Sequence, residues 1–146
     1  MGFFITNLSI EEQIGEIRKR DGRYDERAYS LVLEGVDKAC AMYEKGGVRK
    51  RHLSARETID GINCCSIENF GPMADYVLGK WGINSFKDFG EIIYNLVDVG
   101  LLNLDKRDKR EDFDLGEFSY DTDFSRFSGA VDWNNLDWER EGLKKR

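Results

Sequence analysis

The chain has 146 residues, 40% apolar, 12% aromatic and 34% charged, with a formal net charge of -6, a size and balance that fit one domain with its own core. Its three cysteines, Cys40, Cys64 and Cys65, are odd in number and lack Cys-x-x-Cys spacing, which excludes a secreted disulfide scaffold. No apolar run approaches the roughly 20 residues that cross a bilayer, and no basic residue precedes Phe3, Phe4 and Ile5 as in a secretory signal, so a cytoplasmic protein without membrane contact is expected.

In chain order the first half predicts helix after helix. Ile10, Ile14 and Ile17 share one stripe, opened by the capping box Ser9 and Glu12 and ending near Arg20. A second helix is predicted from about Asp25 to Glu44 on Tyr29, Val32, Val36, Cys40 and Tyr43, with Asp25 and Glu26 at its positive end and Gly46 and Gly47 closing it. Ser54 and Glu57 form another capping box for a helix carrying Ile59, Ile62 and Cys65 to about Phe70. Gly71 then stops one helix and Pro72 starts the next, a short fourth whose Met73, Val77 and Trp81 face one way until Gly82. Ser85 and Asp88 cap a fifth, with Phe86, Phe89, Ile93, Leu96 and Val97 as its stripe and Gly100 as its stop.

Beyond Gly100 the pattern changes to a hairpin. Leu101, Leu102 and Leu104 predict a strand, residues 106–110 a charged turn, and Phe113, Leu115 and Phe118 a returning strand. The expected fold class is therefore mainly α, about five helices and a C-terminal β-hairpin. Residues 1–118 would form the helical domain, and residues 54–118 have the element order of a winged helix. A five-helix bundle with an added hairpin would give the same string. Residues 119–146 read as an acidic, aromatic tail, either disordered or packed back on the domain.

The charges argue against a DNA reader. A recognition helix needs cations for phosphate, yet the fifth helix offers Lys87 against Asp88, Glu91 and Asp98, and the hairpin tip sums to zero. Sequence-specific DNA reading is disfavoured. Elsewhere the cations cluster as Arg18, Lys19, Arg20, Arg23 and Arg27 and as Arg49, Lys50, Arg51 and Arg56, and if the fold joins them they make one anion or RNA patch. Read more simply, both clusters are solvated helix ends. Residues 111–141 hold ten acids against two arginines, so the tail could also mask such a patch. Its Trp133 and Trp138 are candidate anchors for a partner groove, with covering of the domain's own core as the alternative.

Catalytic chemistry finds little material. His52 is the only histidine, adjacent Cys64 and Cys65 on a helix point about 100 degrees apart, and no phosphate-loop, dinucleotide or nucleophile-elbow motif is present. The expectation is a chain with no enzyme activity, metal or cofactor. Asp88, Glu91 and Asn95 stand out instead, polar and at three- and four-residue steps beside an apolar stripe. They either cap and cross-link the bundle or form a partner-binding surface, and the second is expected because Asp88 alone is explained as a cap.

Arg-Asp-Gly-Arg-Tyr at 20–24, Ala-Tyr at 28–29, Val-Leu-Glu at 32–34, His52, Phe-Gly-Pro-Met-Ala at 70–74, Trp-Gly-Ile at 81–83 and Asp-Phe-Gly-Glu-Ile at 88–92 lie in that order along the chain. Asn95, Leu96 and Val97, Gly-Leu-Leu at 100–102 and Glu-Asp-Phe at 111–113 extend the set, which covers roughly residues 10–118. Together they resemble a family of small bacterial proteins of unassigned function, found in planctomycetes, verrucomicrobia and their relatives. The resemblance implies a bacterial cytoplasmic origin and brings no assigned activity with it. Such proteins often carry Asp-Pro and Tyr-Pro where this chain has Asp21-Gly22 and Tyr24-Asp25, which implies a more flexible entry to its second helix. The reading that results is a non-enzymatic adaptor or regulatory module binding another protein, with RNA or ribosome association through the basic patch as the alternative.

Overall fold

The structure, a computed structural model, describes residues 8–103 and 109–114. Five α-helices follow one another: α1 Ile10–Arg20, α2 Glu26–Met42, α3 Ala55–Phe70, α4 Ala74–Lys80 and α5 Phe86–Asp98, with 3-10 turns at Gly71–Met73 and Arg110–Phe113. The mainly helical expectation holds across the described residues. No helix among them is long and apolar enough to cross a membrane.

Local chemistry accounts for the helix starts. Ser9 Oγ accepts from the Glu12 amide at 3.1 Å while the Glu12 carboxylate accepts from the Ser9 amide at 3.1 Å. Ser54 and Glu57 repeat the exchange at 3.1 and 2.9 Å, and Asp25 caps α2 by accepting from the Arg27 amide. Each bond satisfies an amide that the first turn of a helix cannot pair internally.

The centre of the fold is the antiparallel pair of α2 and α3. Every residue of α3 from Thr58 to Ile67 is buried, so this helix is enclosed on all sides rather than amphipathic. Two glycines let α2 approach it. A Cβ on Gly35 would lie 2.6 Å from the Ile62 Cα, and one on Gly61 would lie 2.7 Å from the Ala39 amide nitrogen and closer still to the Gly35 carbonyl. The backbones touch where any side chain would hold them apart.

α5 packs its apolar stripe of Phe86, Phe89, Ile92, Ile93 and Leu96 into the same core. Gly90 on α5 is the seat for Phe113, because a Cβ there would come within 2.8 Å of that side chain. Phe113 is thereby buried and holds the Arg110–Phe113 turn against the bundle.

Three expectations change. Helix α2 ends at Met42, and Gly46 and Gly47, at φ of 60° and 80°, instead make a two-residue turn between Lys45 and Val48, which exchange backbone hydrogen bonds at 3.0 Å. Positive φ at both central positions suits such a turn better than it suits a helix end. On α4 the inward stripe is Ala74 and Leu78, while Met73 is 53% exposed. The cause is the 3-10 turn at Gly71–Met73, whose three residues per turn delay and rotate the start of the helix. Arg110–Phe113 is a 3-10 turn where a strand beginning at Phe113 is expected, and residues 101–103 join no sheet. The rest of the hairpin and the tail with Trp133 and Trp138 lie outside the described residues.

Candidate functional site

At the N-terminal end of α2 the turn between α1 and α2 is bound to α5. The Tyr24 hydroxyl donates to Asp88 Oδ1 at 2.6 Å, Arg23 pairs with Glu91 at 3.2 Å, and Asn95 Nδ2 donates to Asp21 at 3.0 Å and to the Tyr29 hydroxyl oxygen at 3.1 Å. Asp88, Glu91 and Asn95 therefore all cross-link the bundle. Asp88 also accepts from the amides of Asn84 and Ser85, closing the start of α5. On the turn itself Arg23 grips Asp21 at 2.7 Å, Arg18 donates to the Tyr24 carbonyl at 2.9 Å, and the Asp25 amide donates to the Trp81 carbonyl at 3.1 Å. Asp21, Tyr24 and Asp25, three of the four residues for which flexibility is expected, are bonded to other elements.

The electrostatics follow from these contacts. The Arg23 guanidinium, helped by the Asn95 amide, holds the Asp21 carboxyl far below the usual range, and Arg27 brings Asp25 down to about 2. Burial, reinforced by the hydrogen bond to Asp88, pushes the Tyr24 phenol well above its ordinary value. Asp21, Arg23, Tyr24, Asp25, Arg27, Asp88 and Glu91 are each matched by a partner inside the chain. Gly82, at φ 96°, sits so close to the Arg23 carbonyl that a Cβ would collide with it, which ties the loop before α5 to the same turn.

The second basic cluster lies at the far end of α2, seventeen residues or about 25 Å along its axis. Arg23 and Arg49, Lys50, Arg51 or Arg56 thus do not meet in one patch. Arg49 pairs with Asp37 at 2.6 Å, Lys50 with Glu57 at 2.8 Å, and Arg56 with Asp60 at 3.4 Å, while the Tyr43 hydroxyl donates to Asp60 at 2.5 Å. Burial and that hydrogen bond push Tyr43 up to about 12. Arg20, in the last turn of α1, and Arg51 pair with no acid among the described residues.

Beside Arg51 opens a cavity of about 370 Å³. Its walls are Val36 of α2, Ile93 of α5, Leu53, Leu102 and Phe113, and its polar lining includes Arg51, His52 and Asn103. Sequence reasoning placed Val36, Ile93 and Phe113 in elements but not around a space. The signal that pointed here was weak: a lone histidine between a basic run and the Ser54 cap.

The third feature is apolar. Met73 and Tyr76 stand 53% and 57% exposed at the start of α4, with Lys80 5.7 Å from the Tyr76 ring and Arg27 5.5 Å from the Trp81 ring. Phe70 and Trp81, both partly buried, pack edge-on against each other at 5.4 Å. Cys64 and Cys65 are both buried, and burial raises both thiols, so neither is poised as a nucleophile. No group of three metal-ligating side chains occurs among the described residues. Compared with protein-family models, curated proteins and solved structures, the chain matches none.

Proposed function

We propose that this chain is a bacterial, cytoplasmic, non-enzymatic adaptor that binds another protein through the exposed start of α4. The observation that carries the reading is the pairing of Met73 and Tyr76, two large apolar side chains more than half exposed where the 3-10 turn runs into α4. An exposed apolar pair with the Lys80 ammonium beside it suits the anchor-and-rim pattern of protein interfaces. The non-enzymatic part is supported by the corner at α5, where the perturbed carboxylates and tyrosines are bonded to one another rather than directed into a cavity.

Two further observations favour a protein partner over RNA. The cations that would make a phosphate surface are divided between the ends of α2, and most are already paired with acids. The polar face of α5, the helix that a winged helix would use for recognition, is turned to the α1–α2 turn through Asp88, Glu91 and Asn95. The motif residues behind the family resemblance, Asp21, Arg23, Tyr24, Trp81, Gly82, Asp88, Glu91 and Asn95, gather in that corner. We read that motif as specifying architecture rather than a shared reaction.

The test is affinity capture of the tagged full chain from its own organism's lysate, with and without nuclease, beside the double variant Met73→Glu, Tyr76→Ala. A partner that survives nuclease and is lost with the variant is the expected result. Loss of all bound material on nuclease treatment would overturn the reading in favour of nucleic acid at Arg49, Lys50 and Arg51.

A further inference from the structure

We propose that the cavity between α2, α3 and α5 binds a small amphiphilic anion, a carboxylate carried on a hydrocarbon or aryl body. The site is distinct from the α4 surface and does not depend on it. Its volume, about 370 Å³, lies at the lower end of the range for small-molecule sites. The walls formed by Val36, Leu53, Ile93, Leu102 and Phe113 offer nothing to a polar body. Thr58 also lines the space, but its hydroxyl is spent on the Ser54 carbonyl at 2.9 Å. An apolar body gains by displacing water from these walls.

The sign of the head group comes from Arg51. Of the four cations between Arg49 and Arg56, three are neutralised by neighbours: Arg49 by Asp37, Lys50 by Glu57 and Arg56 by Asp60. Arg51 is the one that lines the cavity, and it has no acid partner among the described residues. No aspartate or glutamate among them lines the cavity either. A guanidinium beside the apolar part of the wall, with His52 and Asn103 also lining the space, matches a carboxylate in geometry, two parallel donors to two oxygens, as well as in charge. A cationic or neutral amphiphile would fill the same walls and leave that group unanswered.

The site is also built rather than incidental. Phe113 reaches the cavity because Gly90 leaves room for its ring on α5. The wall is thus made by a residue fifteen positions beyond the end of the helix it rests on, held in place by burial.

Titration calorimetry of the full chain with decanoate, decanol and decyltrimethylammonium, each below its micelle concentration, tests the proposal. Decanoate is expected to bind one site, at least tenfold tighter than either comparator. Arg51→Gln should weaken decanoate at least tenfold and leave decanol unchanged, and Ala55→Leu, which fills the space from the first turn of α3, should remove both. Because Ala55→Leu could disturb folding, amide chemical shifts of the unsubstituted protein provide a second reading: decanoate should move Val36, Leu53, Ile93, Leu102 and Phe113. Decanoate binding that is absent at millimolar concentration, equal in Arg51→Gln, or centred on Met73 and Tyr76 would overturn it.

Discussion

The two ends of the α2–α3 pair solve the same problem in opposite ways. At the N-terminal end of α2 polar side chains are bonded into a network, with Tyr24 held by Asp88, Arg23 by Asp21 and Glu91, and Asp21 and Tyr29 sharing Asn95 of α5. At the other end Arg49–Asp37 and Lys50–Glu57 lie at the surface, Arg56 and Tyr43 reach the buried Asp60, and a cavity opens beside Arg51. The network stabilises and specifies, because each buried member depends on the others. An open end with an unneutralised cation keeps capacity for a ligand. The comparison predicts that stability is concentrated in the middle and at the corner, while binding capacity lies at the cavity.

The largest effect is expected between the two ends, where the helices touch. Gly61→Ala places a Cβ against the Ala39 backbone and the Gly35 carbonyl, and neither helix can yield without moving the other. A loss of about 3 kcal/mol is expected, at the upper end of the cost of overpacking, read as a lower urea midpoint. Gly79→Ala, whose Cβ would meet nothing nearer than 3.8 Å, should leave the midpoint close to that of the parent chain. Equal effects for the two would refute the close approach.

Next comes the corner. Asp88→Ala leaves the Tyr24 hydroxyl, on a residue only 1% exposed, without its acceptor and removes the cap on two amides at the start of α5. About 2 kcal/mol should be lost, the usual penalty for an orphaned buried donor. Tyr24→Phe should cost less, since it removes the donor and leaves Asp88 its two backbone partners. The reverse order in denaturation experiments would show that the network is not what holds the turn.

These residues show how far the sequence could be read. The caps at Ser9, Ser54 and Asp25 were legible because a helix start is a local event within three residues. The roles of Asp88, Glu91 and Asn95 were not, because their partners come from 64 to 74 positions away, and spacing along one helix reports only that they share a face. Gly35, Gly61 and Gly90 gave no signal for the same reason: the residue that requires each glycine lies on another segment. The inward face of α4 was misjudged through one 3-10 turn, a change of a few tens of degrees that periodicity cannot register. The cavity is least legible, because it is a relation among five segments and belongs to none.

Acid should open the corner in a defined window. Asp25 titrates at about 2 in the fold against an ordinary 3.8, and Asp21 is held lower still by Arg23. A carboxyl with a depressed folded pKa favours the fold at pH above its unfolded value, and that contribution disappears as pH falls through the folded value. The urea midpoint should therefore decline from about pH 4 toward pH 2. Asp21→Asn should be less stable at neutral pH and show a shallower decline, and an unchanged slope would mean that the Asp21 and Arg23 pair is not formed in solution.

The smallest effect separates two arginines two positions apart. Arg49 reaches the Asp37 carboxylate and carbonyl, both at 2.6 Å, but the two side chains are 51% and 74% exposed. Solvent screens such a pair, and ordering two long side chains offsets what remains. Arg49→Gln should leave the urea midpoint unchanged at physiological salt, and so should Arg51→Gln, which breaks no ion pair among the described residues. Decanoate affinity then distinguishes them, falling only for Arg51→Gln. If Arg49→Gln weakened it equally, general positive potential rather than a directed guanidinium would account for binding, and the open end would differ from the bonded one in charge alone.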